Sequence, residues 1–376
     1  MIYDFITIGS GAAGLFCNVN LPKNCKKLIL EKNKIIWTKV LMSGGERANL
    51  TNIDIEPERD YFSCNPKATI WFFKRFSNYD IIDFFESNWV KTVIEDRWRA
   101  ITASGHARDL VKVLENKIKE NNTTILTEKD IISVKKEWKI YICKTETEEF
   151  KTKNLIIAVG GKSYPQVGTV WFGYKIAQQF WINVISPYKG LIWIITKQDL
   201  SKFSWSSVFC KIKLLKNNKL IYEEYGPLLF THWWISGPII YNTVLAIWQE
   251  NSCKEKNNYS DFKLEIEFDL GKTTKKIKKE LNLSEENLTL ELDIQELKTW
   301  KEAKVTWWGI NTNELTKHLE SKKHPGLFFI GEVVDITGKT WGFNLQWAWT
   351  SAYCCSEKFN YFKSSNKSFL NSSIVQ

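Results

Sequence analysis

The sequence predicts an α/β fold in which one parallel sheet is assembled from the two ends of the chain, with a β-rich segment inserted between them. Three observations support this prediction. An apolar strand at residues 3–8 runs into a glycine turn and a helix, and a second strand follows at 27–31. Buried strands at 155–159 and 326–330 also end in glycine. Between them, residues 190–270 alternate apolar and polar side chains, as half-buried strands do.

The turn after the first strand has the spacing GxGxxG, in residues 9–14. In this pattern the first glycine makes a tight turn, the second lets the backbone approach a pyrophosphate, and the third lets the helix pack on the strand. The helix N-terminus attracts the phosphates, and an acidic residue at the end of the next strand accepts hydrogen bonds from ribose hydroxyls. The predicted dinucleotide site consists of Gly9, Ser10, Gly11, Ala12, Ala13, Gly14, Glu31 and Lys32.

The remaining elements follow in order. Residues 66–88 form an aromatic-rich helical pattern, Ser104 can cap a helix that runs to about residue 120, and residues 124–147 suggest a β-meander. Residues 272–302 are charged and helical in pattern, and a last helix begins near Asn344. The expected domains are residues 1–188 as the first part of the nucleotide-binding domain, 189–271 as an inserted β-rich domain, 272–304 as a small helical domain, and 305–376 as the return to the first domain.

The composition is that of a globular protein. Hydrophobic residues make up 44% of the 376 residues, and no apolar run is long enough to cross a bilayer. The amino terminus lacks a signal-peptide pattern, and the eight cysteines have neither CxxC nor metal-ligand spacing, so we expect a cytoplasmic protein without a metal site. The net charge of +10 suits an RNA partner, although lysine runs are more often solvated helix faces. The sequence indicates no particular protein partner.

Two later segments indicate which dinucleotide is bound. Residues 155–161 resemble the second glycine strand of two-dinucleotide-binding flavoproteins, and residues 330–335 resemble their third FAD contact. A helix from about Asn344 would aim its positive end at the flavin. There is no second GxGxxG for a separate NAD(P)H domain, so FAD is favoured over NAD as the resident cofactor. The residues predicted from these segments are Gly160, Gly161, Gly331, Glu332, Asp335, Gly342 and Asn344.

Longer motifs occur in a fixed order along nearly the whole chain: residues 43–52 (SGGERANLTN), 161–165 (GKSYP), 230–238 (FTHWWISGP), 305–306 (VT), and 331–335 (GEVVD) followed by 344–349 (NLQWAW). With them the chain resembles a bacterial family of NAD(P)/FAD-dependent oxidoreductases. Its members include aminoacetone-oxidase-like proteins, bile-acid dehydro-intermediate reductases and ribosomal RNA dihydrouridine synthases.

This resemblance implies an α/β fold with a two-dinucleotide-binding-type, Rossmann-like FAD domain split in sequence, and inserted β-barrel-like and small helical domains. It also implies NADH or NADPH as electron donor, and as substrate either a small conjugated ketone or a uridine ring in ribosomal RNA. Arg47 and Asn49 are expected to line the cofactor crevice. The chain has Glu46 and Ala48 where the family has Gly and Cys, which excludes a redox role for that cysteine.

Two residues are candidates for catalysis. His232 could orient the substrate or donate a proton near the flavin, or it could be a turn histidine at the start of a helix, with Ser236 as the cap. Tyr164 could be a proton donor, or an aromatic residue packed in a turn. The residue types alone leave both alternatives open.

The chain has eighteen tryptophans and only nineteen glycines. At several positions where the family has glycine, this chain has tryptophan. We hypothesise that the gene uses UGA for glycine and was translated with UGA read as tryptophan. The alternative is that these tryptophans are real and the site is remodelled or inactive. Trp347 and Trp349 fit the family pattern as they stand. The glycine-like positions are Trp37, Trp98, Trp171, Trp181, Trp234, Trp308 and Trp341.

The sequence therefore predicts an FAD-dependent reductase that transfers hydride from NADH or NADPH through flavin N5 to an activated C=C bond. Reduction of a uridine in ribosomal RNA to dihydrouridine is one alternative, and a flavin-binding protein without turnover is another.

Overall fold

The computed structural model describes residues 1–42, 47, 49–163, 171–251, 259–298 and 300–360. In chain order the strands are β1 Ile2–Ile8, β2 Lys27–Leu30, β3 Thr51–Asn52, β4 Tyr61–Phe62, β5 Thr92–Ile94, β6 Arg99–Thr102, β7 Thr123–Leu126, β8 Ser133–Glu137, β9 Ile140–Lys144, β10 Glu149–Ile157, β11 Tyr188–Gly190, β12 Ile194–Thr196, β13 Ser207–Lys216, β14 Lys219–Phe230, β15 Trp234–Ser236, β16 Phe262–Phe268, β17 Thr289–Leu297, β18 Val305–Trp307, β19 Leu327–Phe329 and β20 Thr337–Gly338. The helices are α1 Ala12–Asn20, α2 Thr38–Met42, α3 Pro57–Asp60, α4 Pro66–Phe73, α5 Asn78–Glu86, α6 Ala107–Glu120, α7 Phe172–Gln179, α8 Pro238–Glu250, α9 Lys275–Glu280 and α10 Phe343–Glu357.

The main sheet has the order β7-β2-β1-β10-β9-β8, and β19 also pairs with β10. The strands β7, β2, β1, β10 and β19 are parallel, whereas β8 and β9 are antiparallel additions at one side. The inner strands are buried on both faces, which explains why β2 is a continuous apolar run apart from its first lysine. Strands from both ends of the chain thus meet in one sheet, as the sequence predicts.

Helices α1 and α10 pack on each other against this sheet and close the first hydrophobic core. Phe16 of α1 meets Trp349 of α10 edge to face, with ring centroids 5.5 Å apart. The indole N–H of Trp349 donates to the carbonyl of Leu50 at 3.0 Å, so this buried polar group is satisfied. The contact joins the amino-terminal and carboxy-terminal parts of the domain.

A closed barrel, in the strand order β12-β15-β14-β13-β16-β17, forms around a second hydrophobic core. Helix α8 packs against β14 and buries its apolar side chains in this core. The inward residues of β13 and β16 alternate with outward lysines and glutamates, the pattern that predicts these strands.

The structure differs from the sequence prediction at three places. The N-cap of α6 is His106, without a side-chain cap hydrogen bond, and not Ser104. In the described part of residues 272–304 the α-helix is the six-residue α9, and the strand β17 in the same segment pairs with β16 and β12 to close the barrel. The strand pattern in its sequence TLELDIQEL is hard to recognise because it lies among many lysines and glutamates. The helical pattern at 66–88 is two helices, because Ser77 starts α5 with a capping box to Asp80.

The predicted fold class is confirmed: an α/β domain of Rossmann type, split in sequence, with a six-stranded barrel inserted. In the part of the chain that the structure describes, none of the helices is both long and apolar enough to cross a membrane.

Candidate cofactor crevice and the adjoining cavity

A crevice of about 620 Å³ lies at the carboxyl ends of β1, β2, β10 and β19. In open parallel sheets this edge is where ligands bind, beside the turns that leave the strands. The lining includes the predicted turn residues from Gly9 to Ala13, together with Glu31, Lys32, Asn49 and Gly160. From the carboxy-terminal part it includes Gly331, Glu332, Gly342 and Asn344. The structure therefore brings most of the predicted cofactor residues to one place.

The three glycines of the first turn have separate roles. Gly9 has φ 102°, and a Cβ there would lie 2.5 Å from the carbonyl oxygen of Ala158. A Cβ on Gly14 would lie 2.1 Å from the carbonyl oxygen of Gly9, which shows how closely α1 approaches β1. A Cβ on Gly11 would meet no atom within 4 Å, because this residue faces the open crevice. Gly9 and Gly14 are required by the fold, whereas Gly11 leaves room for a ligand.

Glu31 connects the end of β2 to the glycine turn. Its Oε2 accepts hydrogen bonds from the backbone N–H of Ser10 at 2.8 Å and from the Ser10 hydroxyl at 2.7 Å. Its Oε1 accepts the backbone N–H of Asn33 at 2.9 Å. The carboxylate is thereby fixed at the crevice wall, with lone pairs left for further donors. Lys32 forms an ion pair with Asp130 at the rim.

Glu332 also lies in the crevice wall. It pairs with Lys39 and accepts hydrogen bonds from the Ser163 hydroxyl at 2.7 Å and the Thr306 backbone N–H at 2.8 Å. Burial alone would raise the pKa of Glu332, but Lys39 and these hydrogen bonds hold it below its ordinary value. Gly161 packs behind this group, since a Cβ there would lie 2.2 Å from the Thr306 hydroxyl.

Three helices direct their N-termini at the crevice. They begin beside Gly11, Gly237 and Gly342, which are the N-cap residues of α1, α8 and α10. Helix N-termini carry unpaired N–H groups and a partial positive charge, and so they stabilise anionic groups. The sequence motifs predict the first and third of these helices. A helix start with Ser236 as the cap is one of the two alternatives for His232; the structure starts α8 at Pro238, with Gly237 rather than Ser236 as the N-cap.

The crevice fits FAD on several observations. The turn that leaves space at Gly11 is flanked by helix N-termini suited to a pyrophosphate, and Glu31 is suited to ribose hydroxyls. The Oδ1 atom of Asn49 is buried in the wall and has no hydrogen-bond partner among the described residues. A buried acceptor of this kind is satisfied by a donor on a bound ligand.

Four predicted residues lie outside the crevice lining: Gly14 and Gly161, which pack behind it, and Asp335 and Arg47. Asp335 is completely buried and accepts hydrogen bonds from the Cys64 N–H at 2.9 Å and the Ser63 hydroxyl at 3.1 Å. Burial raises its pKa to about 7. In contrast to the prediction, this carboxyl holds the segment with Ser63 and Cys64 in place and does not line the crevice. Arg47 forms an ion pair with Glu95 and also stands apart from the crevice lining.

His232 is exposed on the barrel, 3.5 Å from the Ser204 hydroxyl, and does not line the crevice. The structural alternative, a histidine in the turn before Ser236, is the one that its position matches. Tyr164 lies outside the described residues, as do positions 43–46, so the prediction for Tyr164 stays a prediction.

A smaller cavity of about 190 Å³ adjoins the crevice and was not anticipated from the sequence. Lys339, Thr340 and Trp341 line both spaces, so this short loop forms the partition. The walls of the cavity are mostly polar, with Asn52, Asp54, Arg59, Asp60, Arg97, Glu224 and Asn242. No pattern in the sequence connects Arg97 with Glu224, because they meet only after the barrel folds against the sheet domain.

The chain is similar to known proteins over nearly its whole length. The family described as the HI0933-like protein Rossmann domain matches residues 3–358. A protein of Escherichia coli (strain K12) named ribosomal RNA dihydrouridine synthase is 30% identical over 96% of this chain and 99% of its own length. A protein of Clostridium scindens named 3-dehydro-bile acid delta(4,6)-reductase is 22% identical over 92% of this chain and 96% of its own length.

Among solved structures, a 3-ketosteroid-delta4-(5alpha)-dehydrogenase from Rhodococcus jostii RHA1 shares the fold with a TM-score of 0.52. It is 10% identical, and the match covers 94% of this chain and 96% of that one. At this identity the likeness shows the fold alone.

Proposed function

The chain belongs to the HI0933-like Rossmann family of FAD-binding oxidoreductases, and we propose that it reduces an activated C=C bond with electrons from NADH or NADPH. When bound, FAD supplies a hydride acceptor and donor at N5. The observation that carries the proposal is the meeting of three helix N-termini and the Gly9–Gly14 turn around one crevice. This arrangement provides the positive potential that a dinucleotide and a reduced, anionic ring both require.

The residues of this chain have distinct tasks in that reaction. The backbone around Gly11 would bind the pyrophosphate of FAD, and Glu31 would orient the ribose. The N-termini of α8 and α10 stabilise negative charge at the far end of the crevice. Apolar side chains in the lining, among them Leu191, Val305 and Leu345, would exclude water from the crevice when the cofactor is bound.

For the substrate, we propose a uridine of ribosomal RNA, which would be reduced to dihydrouridine. Support comes from the 30% identical relative of that name, which this chain matches over nearly its whole length. The net charge of +10 favours a polyanion as partner. A small conjugated ketone is the second candidate, supported by the relative named as a bile-acid reductase.

A flavin-binding protein without turnover is the third candidate, and one specific observation favours it. The indole of Trp341 lines both the crevice and the adjoining cavity, where it reduces the space open to a substrate. If the chain functions with this tryptophan, we expect it to bind FAD but to reduce substrate poorly.

Two measurements test the proposal. Purified protein with FAD is mixed anaerobically with NADH or NADPH, and bleaching of the flavin absorbance by either one is the expected result. Ribosomal RNA from a deletion strain is then analysed for dihydrouridine, which should be absent. Normal dihydrouridine in that strain would exclude the RNA substrate and leave the ketone, whereas a protein that takes up no FAD would contradict the flavoenzyme itself.

A further inference from the structure

The cavity behind Trp341 contains a carboxylate that the proposed cofactor site does not use. Glu224 of β14 accepts hydrogen bonds from the Asn242 side-chain amide, at 3.1 Å on Oε1 and 3.0 Å on Oε2, and from the Tyr222 hydroxyl at 2.7 Å. The Asn242 Oδ1 accepts the backbone N–H of Thr340 at 2.9 Å. This chain of hydrogen bonds ties the barrel to the partition loop and fixes the direction of the Glu224 carboxylate. Burial raises the pKa of Glu224.

Arg97 brings a guanidinium to the same cavity. Among the described residues, its side chain has no ion pair and no hydrogen bond, although its backbone carbonyl accepts the Asn52 amide at 2.8 Å. The guanidinium fits against Gly226, where a Cβ would come within 2.7 Å of one of its nitrogens. A guanidinium that lines a cavity and has no acceptor among the described residues is ready to bind an acceptor on a ligand.

The donors and acceptors of this cavity complement one kind of ring. We propose that the cavity binds the carbonyl-bearing edge of a cyclic imide of the uracil type, with Arg97 and Lys339 donating to the carbonyl oxygens and Glu224 accepting the ring N–H. Bases that are taken out of a helix are read by such hydrogen bonds to their Watson–Crick edge. Cytosine has an acceptor in place of that N–H and would face the Glu224 oxygens with a lone pair. This inference rests on the proposed reduction of a uridine.

Residue 341 decides whether such a ring can reach the crevice. The Trp341 indole lies between the two spaces, with the guanidinium carbons of Arg99 and Arg97 at 4.9 and 5.6 Å from its ring centroid. Its N–H is buried without a hydrogen-bond partner among the described residues. Replacement of Trp341 by glycine would remove the indole from both spaces and widen the passage between the cavity and the crevice.

The test uses the FAD-loaded Trp341→Gly protein and two probes, the single-stranded hexaribonucleotides U6 and C6. A saturable shift of the flavin absorbance with U6, at least tenfold stronger than with C6, is the expected result. Arg97→Gln and Glu224→Gln should each weaken U6 binding about tenfold or more, since each removes a charged partner of the imide edge. Glu223→Gln is the matched control, because this exposed neighbour on β14 lies outside the cavity lining.

Equal binding of U6 and C6, or full affinity in the Arg97 and Glu224 variants, would overturn the inference. The same samples are treated with NADPH, which separates this result from the proposed function. If NADPH reduces the flavin but U6 does not change the flavin spectrum, the cavity assignment is contradicted and the proposed function is not. If U6 binds but neither NADPH nor NADH reduces the flavin, the result contradicts the proposed electron donor and supports the cavity assignment.

A different observation concerns the tryptophans themselves. In the described part of the chain, sixteen residues other than glycine have positive φ, and eight of them are tryptophan. Four are asparagine, which is ordinarily among the most frequent residues with positive φ after glycine. Bulky residues are rare in this conformation. The eight, with φ between 53° and 76°, are Trp37, Trp89, Trp98, Trp138, Trp181, Trp205, Trp308 and Trp341.

Several of these residues occupy positions that glycine ordinarily fills. Trp89 and Trp181 follow α5 and α7, where their N–H groups bond to the carbonyls of Glu86 and Gln178. The next residues, Val90 and Ile182, bond five positions back, which completes a Schellman motif with tryptophan at the C′ position. Trp138 is the first residue of the two-residue loop between β8 and β9, a glycine position in type II′ hairpins. The indoles of Trp89 and Trp138 are 96% and 97% exposed, so packing does not explain them.

Other tryptophans pack and form hydrogen bonds as ordinary buried aromatic residues do. Trp248, Trp347 and Trp349 lie in helices, are buried, and donate their indole N–H groups to backbone carbonyls at 3.0 Å. Trp171 has φ −54°, and Trp234 lies in the strand β15. Both are among the seven glycine-like positions predicted from the sequence, but their backbone conformations do not require glycine.

We infer that the eight positive-φ tryptophans are encoded by UGA and are glycine in the source organism. Eight further glycines would bring the total to 27 of 376, about 7%, which is the ordinary usage. The test is the gene sequence together with tryptic peptides of the native protein. UGA codons and glycine at these eight positions, with UGG at Trp248, Trp347 and Trp349, is the expected result. UGG at Trp89, Trp181 and Trp341 would overturn the inference.

Discussion

Glu31 accepts hydrogen bonds from both the backbone N–H and the hydroxyl of Ser10, at 2.8 and 2.7 Å, and thereby joins the end of β2 to the turn that follows β1. This contact gives the carboxylate two roles, because it braces the glycine turn and lies beside the space for a ribose. The cofactor site therefore does not separate cleanly into residues that hold the fold and residues that hold the ligand.

We predict that Glu31→Ala lowers the affinity for FAD by tenfold or more. Hydrogen bonds to a charged group contribute about 1.5–3 kcal/mol each, and the variant also leaves the Ser10 N–H without its acceptor. Equilibrium titration with FAD, followed by quenching of flavin fluorescence, measures the change. Glu137→Gln, at the end of β8 and away from the crevice, serves as control and should bind FAD normally. Unchanged affinity in the Glu31 variant would place the cofactor elsewhere.

Two glycines of the same turn should respond in opposite ways to alanine. Gly11→Ala adds a methyl group to the open crevice, so we expect weaker FAD binding and an unchanged melting temperature of the cofactor-free protein. Gly14→Ala forces a methyl group against the Gly9 carbonyl, 2.1 Å away, and overpacking of this kind costs about 1–3 kcal/mol or more. Calorimetry without FAD and titration with FAD separate the two effects. A Gly11 variant that binds FAD as tightly as the parent would contradict the assignment of the pyrophosphate to this turn.

Asp335 should make the stability of the protein depend on pH. Burial raises its pKa from 3.8 to about 7, so between these values the folded state binds more protons than the unfolded state. The free energy of unfolding therefore falls as the pH rises through this window, by several kcal/mol at most, at about 1.4 kcal/mol for each pKa unit. Asp335→Asn keeps the acceptor for Cys64 and removes the titration.

Denaturant unfolding of the parent and the Asp335→Asn variant at pH 5 and pH 8 tests this dependence. The variant should gain stability relative to the parent at pH 8 and gain much less at pH 5. The same difference at both pH values would mean that Asp335 does not titrate in this range. The buried phenol of Tyr174 is close to Asp335 but has a pKa raised well above 10, so it stays neutral throughout the experiment.

The exposed positive-φ tryptophans should be replaceable by glycine with a gain in stability. A left-handed backbone costs a bulky residue roughly 1–2 kcal/mol, and Trp89→Gly removes this cost without loss of packing. We expect an increase of about 1 kcal/mol in the free energy of unfolding. Trp347→Gly, in the buried face of α10, should instead lose about 3–5 kcal/mol or more. A loss of stability in Trp89→Gly comparable with that of Trp347→Gly would contradict a backbone origin of the strain.

The sequence predicts this fold well wherever the signal is local. The turn at residues 9–14, the strand before Gly160 and the helix near Asn344 are found in the structure because glycine spacing and apolar runs depend on neighbouring residues. The strand β17 was missed because its alternation is hidden among charged residues and its partners, β12 and β16, are distant in sequence.

In the functional site, too, residues within one local motif are predicted, whereas residues brought together by distant contacts are not. Gly9, Glu31 and Gly331 lie together in the crevice, as the motifs predict. Asp335 follows Glu332 by three residues, but the structure turns its side chain into the interior, and no motif specifies that direction. Arg97 and Glu224 form their cavity only through the contact between sheet domain and barrel, so a search along the sequence could not have joined them.

The measurement that tests the central claim most directly is the visible spectrum of the protein after incubation with FAD and removal of free cofactor. It is made on two chains, one with tryptophan and one with glycine at the eight positive-φ tryptophan positions. We predict equimolar bound FAD in the glycine form, with bleaching by NADPH or NADH in the absence of oxygen. A colourless protein in both forms would contradict the assignment of the crevice to FAD.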